Sequence, residues 1–359
     1  MGDWRAAPTP AARAWRAEID GSDSMQTRSI TVAGAGITGL WQALTLARKG
    51  HRVRLVERSA EPFGDAASAY AGAMLGPFCE KEVYAPVVRD LGLKSIGLWR
   101  ETYPGTVIEG TLVVASARDK SEVDHFARLT EGHERIDGDT IAKLEPDLAG
   151  RFGTGLFYAQ EAHVAPCAAM QFLLEEIRRA GVKVAFGRDW QDPVAEDELV
   201  IDCRGLGARA TLPNLRGVRG ERLIVRTREI GFTRPVRFLH PRQSIYVVPW
   251  GDGLHMVGAT VIESDDTGPI TVRSALELLG MAYALHPAFG EAQILDAGAG
   301  VRPAFADNVP KVIVRGQTIH VNGLYRHGFL LAPALAELVA EYLANGAIDN
   351  RVFVTEPQP

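Results

Sequence analysis

The pattern of apolar and polar positions near the start of the chain predicts a strand, a glycine-rich turn, a helix and a second strand. Residues 29–34 (SITVAG) form a short β-branched run, and residues 34–39 (GAGITG) hold three glycines in six positions. Apolar residues then recur at helical spacing up to Gly50, and a second apolar run over residues 53–56 ends at Glu57. This order of elements is typical of an α/β layer.

The three glycines stand where a pyrophosphate-binding turn needs them. Gly34 allows a tight turn, Gly36 lets the backbone approach a pyrophosphate, and Gly39 lets the helix pack closely on the strand. The N–H groups of the helix N-terminus would then face the phosphates. Glu57 stands 18 positions after Gly39, close to the spacing of about 20 residues expected of an acid that binds an adenosine ribose. The pattern therefore predicts a dinucleotide site, with an ordinary glycine-rich turn as the alternative. The residues expected at the cofactor here are Gly34, Ala35, Gly36, Ile37, Thr38, Gly39 and Glu57.

Small residues fill the loop that follows Glu57, from Arg58 to Leu75. Such a loop can pass a bound cofactor with its backbone and hydroxyl groups close to it, and a plain surface loop is the equal alternative. The further residues expected at the cofactor are Arg58, Ser68, Ala73, Met74 and, after a later predicted strand, Gly205.

Later in the chain the pattern becomes rich in strands. Between Gly220 and Ala259, short β-type segments alternate with turn signals, which indicates an antiparallel sheet inserted between the α/β pieces. Strands are predicted there over residues 222–227, 236–239, 244–248 and 255–259. Helices are predicted over residues 83–103, 120–130, 166–180, 272–285 and 330–343. Residues 141–155, which include Pro146, are predicted to form a connector.

Two domains built from discontinuous segments are therefore expected. The α/β cofactor domain would comprise residues 25–85, 145–217 and 296–359, and the substrate domain residues 86–144 and 218–295. Residues 1–24 mix alanine, proline, arginine and acids, and we expect them to form a disordered extension.

Composition narrows the functional classes. The 359 residues are 46% hydrophobic and carry a net charge of −5, which indicates neither a nucleic-acid surface nor an anionic-membrane surface. The most apolar stretch, residues 329–344, is interrupted by two glutamates, so no membrane span is expected. The cysteines at 79, 167 and 203 form no C-x-x-C pair, leave one thiol unpaired in any disulfide scheme and suit a cytoplasmic protein. We expect no metal site.

Seven short motifs, spread along most of the chain, carry a resemblance to a known family. They are Gly34-x-Gly36-x-x-Gly39 with Glu57, 71–76 (AGAMLG), 218–221 (VRGE), 245–249 (IYVVP), 258–260 (GAT), 300–303 (GVRP) and 323–333 (GLYRHGFLLAP). Together they resemble the D-amino-acid oxidase superfamily, and within it the glycine oxidases of the thiamine thiazole pathway. The resemblance runs from Ser29 to Leu343.

The resemblance implies a Rossmann-like FAD-binding domain of the glutathione-reductase type with an inserted antiparallel β-sheet substrate domain. It also implies oxidation of an amine next to a carboxylate, with glycine or another small amino acid as substrate and O2, reduced to H2O2, as acceptor. Sarcosine-oxidase relatives tether their flavin through a cysteine in the C-terminal part of the chain. No cysteine follows Cys203 here, so we expect noncovalent FAD.

By the same resemblance, Arg302 and Tyr246 hold the substrate carboxylate, and Arg326 adds a polar contact. Arginine suits this role because its planar fork gives two parallel N–H bonds to a carboxylate, and a phenol hydroxyl can donate a third bond. No side-chain base is needed if the amine binds unprotonated. The flavin end of the cofactor is expected at the turn before the last helix, at Gly323, Arg326, His327, Gly328, Phe329 and Leu330.

Four positions depart from the family pattern. Ser244, Val261, Leu324 and His327 stand where histidine, methionine, histidine and asparagine are expected, so the volume and polarity of the substrate pocket stay open. Two other functions also stay open: a D-amino-acid dehydrogenase that passes electrons to a quinone or a protein acceptor, and a flavin-binding scaffold without turnover. The sequence leaves open whether the protein forms a homo-oligomer.

Overall fold

The computed structural model describes residues 27–79, 86–190 and 198–355. The predicted extension over residues 1–24 and the first three positions of the predicted helix 83–103 lie outside these ranges. The helices are α1 (Ile37–Arg48), α2 (Pro86–Thr102), α3 (Lys120–Leu129), α4 (Gly138–Leu144), α5 (Pro166–Arg179), α6 (Val272–Leu285) and α7 (Gly328–Asn345).

The strands of the first half of the chain are β1 (Ser29–Ala33), β2 (Arg52–Val56), β3 (Met74–Leu75), β4 (Thr111–Ala115), β5 (Glu134–Asp137), β6 (Thr154–Tyr158), β7 (Ala162–His163), β8 (Lys183–Ala185) and β9 (Leu199–Asp202). Those of the second half are β10 (Arg216–Arg226), β11 (Val236–Leu239), β12 (Ile245–Pro249), β13 (Leu254–Gly258), β14 (Ile262–Glu263), β15 (Gln293–Ala304), β16 (Lys311–Arg315), β17 (Thr318–Asn322) and β18 (Phe353–Thr355). The predicted β1–turn–α1–β2 unit and most of the late strands and helices are confirmed within a few residues at their ends, whereas β10 begins six residues before the strand predicted over residues 222–227.

Seven strands form a mostly parallel sheet in the order β18–β16–β17–β9–β1–β2–β8. The β16–β17 pairing is antiparallel, and the other five pairings are parallel. Strand β1 has a neighbour on each edge, and Ile30 and Val32 are 1% and 0% exposed, which explains its β-branched sequence. Helix α1 packs against both α5 and α7, and together with the sheet they enclose the largest apolar core.

Nine strands form the second sheet, in the order β14–β10–β13–β12–β11–β4–β6–β5, with β15 also paired to β10. Helix α6 packs on β10, β12 and β13 over a second apolar core. The long β10–β15 ladder pairs Val218 with Arg302 and Gly220 with Gly300. Because paired residues share a face, this register decides which side chains of β15 and β10 point the same way.

The second sheet corrects three expectations. Its β4–β11 pairing is parallel, so the inserted sheet is mixed and not purely antiparallel. Strand β6 pairs with β4 and β5, although the boundary at residue 145 assigned it to the cofactor domain. All of β15 pairs with β10, so the boundary at residue 296 is also too early. In both cases, hydrogen bonds to residues far away in the sequence determine which sheet the strand joins. Local sequence patterns do not reveal those partners.

The predicted connector over residues 141–155 is also partly wrong. It overlaps α4, whose N-cap Asp137 accepts a hydrogen bond from the Thr140 N–H at 2.9 Å, and it runs into β6. The helix is only seven residues long, too short for its periodicity to stand out beside Pro146.

An isolated bridge joins strands of the two sheets beside the candidate site. Ala304, at the end of β15, pairs with Leu324, just after β17, and the Tyr325 N–H donates to the Pro303 carbonyl at 2.9 Å. The turn before α7 is thereby attached to the second sheet. A cleft opens between the ends of the parallel strands on one side and β10, β12 and β15 on the other.

Candidate active site

The glycine turn has the tight geometry that its sequence predicts. Gly34 has a φ of +98°, in the region that favours glycine, and its N–H donates to Val56 O at 2.8 Å. A Cβ on Gly39 would lie 1.8 Å from the Gly34 carbonyl oxygen. Helix α1 can therefore pack this closely on the turn only because residue 39 is glycine. The turn leaves the first N–H groups of α1 at the edge of the cleft.

Glu57 lies at the end of β2, directly beside this turn. Its Oε2 accepts a hydrogen bond from the Ala35 N–H at 2.7 Å, and its Oε1 accepts one from the Ser59 N–H at 3.1 Å. The structure thus brings the acid and the glycine turn together. Arg58, in contrast, is exposed and lies 4.0 Å from Asp65.

The cleft encloses about 1030 Å³, including its open mouth. Most of the predicted site residues line it: Ile37, Thr38, Ser68, Ala73, Met74, Gly205, Tyr246, Arg302, Arg326, His327, Gly328, Phe329 and Leu330. The remaining predicted residues do not line it directly. Gly34, Ala35, Gly36 and Gly39 belong to the turn behind Ile37, and Glu57 lies beside that turn. The other two are Gly323 and the exposed Arg58.

The start of α7 meets the start of α1 in this cleft. A Cβ on Gly328 would lie 3.4 Å from Cγ2 of Ile37, so the two helix N-termini are close neighbours. The Trp99 indole N–H of α2 donates to the Phe329 carbonyl at 2.7 Å, and the two rings stack with their centroids 6.0 Å apart. This contact fixes the first turn of α7, whose N–H groups form a second positive helix end facing the cleft.

Arg302 lies on the wall opposite the glycine turn. It is partly buried, and its guanidinium lies directly over Gly220: a Cβ there would be 1.9 Å from Nη2. Nη1 donates to the Thr260 carbonyl at 3.3 Å. Thr260 is in turn held to β10, because its N–H donates to Glu221 O at 3.2 Å and its Oγ1 accepts from the Glu221 N–H at 2.9 Å.

Tyr246 stands on the same wall, on β12. It pairs with Gly258 of β13, and a Cβ on Gly72 would lie 2.8 Å from its Cε2, so the loop after β2 packs against its ring. The cleft is therefore lined by Tyr246 and Arg302 on one side and by the two helix N-termini on the other.

Behind Arg302, on the opposite face of β10, lies a buried ion pair. Arg219 and Glu221 are 2% and 0% exposed, and Arg219 Nη2 lies 2.7 Å from Glu221 Oε1. Burial acts to raise the pKa of Glu221, but hydrogen bonds from Ser274 and Arg219 outweigh it and hold that pKa below its usual range. Glu221 is therefore ionised, and it ties β10 to the N-terminus of α6.

A second buried carboxylate lies near Gly205. Burial would raise the pKa of Asp202, but hydrogen bonds from His320 and Arg204 lower it to about 2. His320 Nδ1 lies 3.0 Å from Asp202 Oδ2, and Asn322 donates to the Gly205 carbonyl at 2.9 Å. The ends of β9 and β17 at the cleft are fixed by this network.

Sequence reasoning missed the residues that position Arg302 and Tyr246. Gly220, Thr260 and Gly72 lie inside three of the motifs that carried the resemblance, yet their contacts depend on strand register. Their presence in those motifs was the one sequence feature that could have marked them as part of the site.

The described ranges 27–79, 86–190 and 198–355 contain neither a membrane-spanning helix nor a cluster of metal ligands. No helix there is long and apolar enough to cross a membrane. No group of three or more histidine, cysteine or acidic side chains could hold a metal ion in the same part of the chain.

Comparison with known proteins relates this geometry to a family. The family described as DAO, FAD dependent oxidoreductase, matches residues 29–342. A protein of Rhizobium etli named as a candidate thiamine biosynthesis oxidoreductase, ThiO, is 52% identical over 315 residues, which cover 88% of this chain and 96% of that protein. The glycine oxidase of Bacillus licheniformis is 25% identical over 355 residues, 88% of this chain and 93% of its own length. The crystal structure of glycine oxidase from Bacillus cereus has the same fold, with a TM-score of 0.75 at 22% identity over 88% of this chain and 95% of that chain. This chain is therefore a member of the DAO family of FAD-dependent oxidoreductases.

Proposed function

We propose that this enzyme oxidises glycine, or another small amino acid or amine, to the imine and transfers the two electrons to O2, which becomes H2O2. We propose further that the imine feeds thiazole formation in thiamine biosynthesis. The 52% identity to the ThiO protein and the matches to glycine oxidases support this assignment.

One observation carries the proposal: a dinucleotide-type turn lies behind one wall of the cleft, and an arginine and a tyrosine, Arg302 and Tyr246, line the opposite wall. The starts of α1 and α7 form one wall, with the glycine turn directly behind α1, and Arg302 with Tyr246 forms the other. A scaffold that only stored flavin would have no need of a guanidinium on that opposite wall.

FAD fits the residues that are present. The turn at residues 34–39 is tight because residue 39 is glycine, it brings the start of α1 to the cleft, and Glu57 stands beside it. These residues would hold the pyrophosphate and the adenosine ribose, and residues 326–330 would hold the flavin end. FAD, when bound, supplies a two-electron acceptor for a hydride. We propose noncovalent binding, because Cys203, which lines the cleft, is largely buried, and burial raises the pKa of its thiol well above the usual value.

We assign the seven-stranded sheet and its helices to a Rossmann-like FAD-binding domain of the glutathione-reductase type. The nine-stranded sheet is then an inserted substrate domain. With β6 and β15 moved into that domain, its segments extend to residue 158 and to residue 304.

Arg302 and Tyr246 would orient the substrate. The guanidinium, held flat over Gly220, presents two parallel donors to the substrate carboxylate, and the Tyr246 hydroxyl donates a third bond. Arg326 adds a polar contact at the edge of the cleft. The amine binds as the neutral base, so its lone pair can form the C=N bond as the hydride leaves the α-carbon, and no side-chain base is required. Orientation is thus the main contribution of the protein.

Anaerobic titration tests this function. Glycine, sarcosine and D-alanine are each added to the purified flavoprotein without O2, flavin absorbance is recorded, and H2O2 is measured after air is readmitted. We expect bleaching by at least one of the three and stoichiometric H2O2.

The alternatives give different results. Bleaching without H2O2 would favour a dehydrogenase that uses a quinone or a protein acceptor. A flavin that none of the three amines reduces would contradict the proposed function.

A further inference from the structure

A second cavity begins where the cofactor cleft ends. It encloses about 950 Å³, including its open mouth, and shares Tyr246 and Arg326 with the cleft. A substrate anchored at Tyr246 therefore borders open space on the far side of that ring. Glycine has no side chain to place there.

Arginines dominate the charged lining of this cavity. Among its described lining residues, Arg237, Arg242 and Arg326 are cationic and Glu122 is acidic. Arg242 is exposed at the rim, in the β11–β12 turn, whereas Arg237 is 6% exposed. The cavity thus has a cation on its floor and another at its entrance.

The position of Arg237 is determined by the sheet. Arg237 pairs with Tyr246 across the β11–β12 ladder, so the two side chains stand side by side on one face. Its Nη1 donates to the Cys79 carbonyl at 3.1 Å, and its guanidinium lies 5.2 Å from the centre of the Phe126 ring. A carbonyl and an aromatic face orient the group while leaving its formal charge in place.

Two positions where the chain departs from its family also line this cavity. Ser244 and Val261 stand where the expected pattern has a histidine and a methionine, and both are smaller side chains in the cavity lining. Space and positive charge therefore occur together next to the proposed anchor.

We propose, building on the function proposed above, that this cavity binds a second acidic group of the substrate. The preferred substrate class is then an amino acid with a carboxylate in addition to the one held by Arg302. The second carboxylate would form charge-assisted hydrogen bonds with Arg237 and Arg242.

Matched substrates that differ only in charge test this proposal. D-glutamate is compared with D-glutamine, and iminodiacetate with its monoamide, by kcat/KM at low salt. We expect the charged member of at least one pair to be favoured by about 10–100-fold, a preference that falls as salt is added.

Variants then test the assigned residues. Arg242→Gln, at the exposed rim, is expected to reduce the charged-to-neutral ratio about 3–10-fold, and Arg237→Gln to reduce it further. Arg128→Gln is the control, because Arg128 is exposed on α3 outside the cavity lining. Its ratio should stay at the wild-type value. Arg242→Gln keeps the test informative if Arg237→Gln does not fold.

A binding measurement separates failure of this proposal from failure of the proposed function. Calorimetry compares glutarate with butyrate, which need no turnover. Tighter binding of glutarate, weakened by Arg242→Gln, would support the acidic subsite even if no amine reduced the flavin. Equal kcat/KM within both substrate pairs, or equal affinity for the two acids, would overturn the subsite while leaving amine oxidation intact.

Discussion

The two walls of the cleft are built from different chemistry. The wall that we propose for FAD, the cofactor wall, consists of glycines, other small residues and the N-termini of α1 and α7, where backbone N–H groups face the cleft. The wall that we propose for the substrate, the substrate wall, consists of charged and phenolic side chains on sheet strands, chiefly Arg302 and Tyr246, with the Arg219–Glu221 pair behind them. The cofactor wall depends on how closely its backbone can approach a bound cofactor. The substrate wall depends on the strand register, which determines which side chains face the cleft.

This difference determines how each wall should respond to mutation. A backbone cradle fails when any side chain enters it, because backbone atoms cannot move aside cheaply. A side-chain anchor can be displaced without unfolding, because a guanidinium is at the end of a flexible chain. Substitutions on the cofactor wall should therefore remove the flavin or the fold, and those on the substrate wall should remove activity alone.

The largest effect is expected for Gly39→Ala. The added Cβ would lie 1.8 Å from a backbone carbonyl, so the turn must open and FAD should be lost, with destabilisation of about 3 kcal/mol or more. FAD per chain after purification and the Tm measure this. Gly97→Ala in α2 is the control, since nothing lies within 4 Å of its Cβ position, and it should be neutral or stabilising by up to about 1 kcal/mol. A Gly39→Ala protein with full FAD content would contradict the cradle.

Gly220→Ala should change the substrate wall without destabilising the fold. Its Cβ would occupy the space of the Arg302 guanidinium, 1.9 Å from Nη2, and the side chain would have to move. We expect kcat/KM for the best amine to fall about 10–100-fold, mainly through KM, because the carboxylate anchor is misplaced. FAD content and Tm should stay near wild type. An unchanged kcat/KM would show that activity does not depend on the Arg302 guanidinium lying over residue 220.

The sequence predicted the cofactor wall better than the substrate wall for a physical reason. Strand β1, the glycine turn, α1 and Glu57 are contiguous, so local periodicity and spacing were sufficient. Gly220 meets Arg302 only because β10 pairs with β15, and the parallel β4–β11 pairing joins residues more than a hundred positions apart. Nothing in a local window determines such pairings, which is why β6 and residues 296–304 of β15 were assigned to the wrong domain.

Glu57→Ala should weaken the cofactor wall without opening it. Loss of a charge-assisted bond to the ribose costs about 1.5–3 kcal/mol, which is about tenfold or more in FAD affinity. Fluorescence titration of the FAD-free protein measures this, and Glu57→Gln, which keeps an acceptor, should lose less. Wild-type affinity in the alanine variant would exclude the ribose contact.

The smallest effect is a pH dependence that neither wall causes. His163 on β7 is 3% exposed, and burial lowers its pKa from 6.5 to about 4. As pH falls below 6.5, the unfolded chain takes up a proton that the folded chain takes up only near pH 4, so this histidine lowers stability over that window. Between pH 7 and pH 5.5 the contribution is about 1 kcal/mol. Urea unfolding of wild type and His163→Gln at both pH values, at equal FAD content, should show this part of the pH dependence in the wild type only. Equal pH dependence in both proteins would show that His163 titrates normally.

The most direct test of the account is the carboxylate anchor itself. The rate of flavin reduction is measured anaerobically for wild type, Arg302→Ala and Arg302→Lys with the amine that reduces the wild type best, at matched FAD content. We expect kcat/KM to fall about 10²–10³-fold in the alanine variant, with little recovery in the lysine variant, because a point charge cannot replace the two parallel bonds of the guanidinium. Wild-type rates in Arg302→Ala at full FAD loading would contradict the claim that this wall binds the substrate carboxylate.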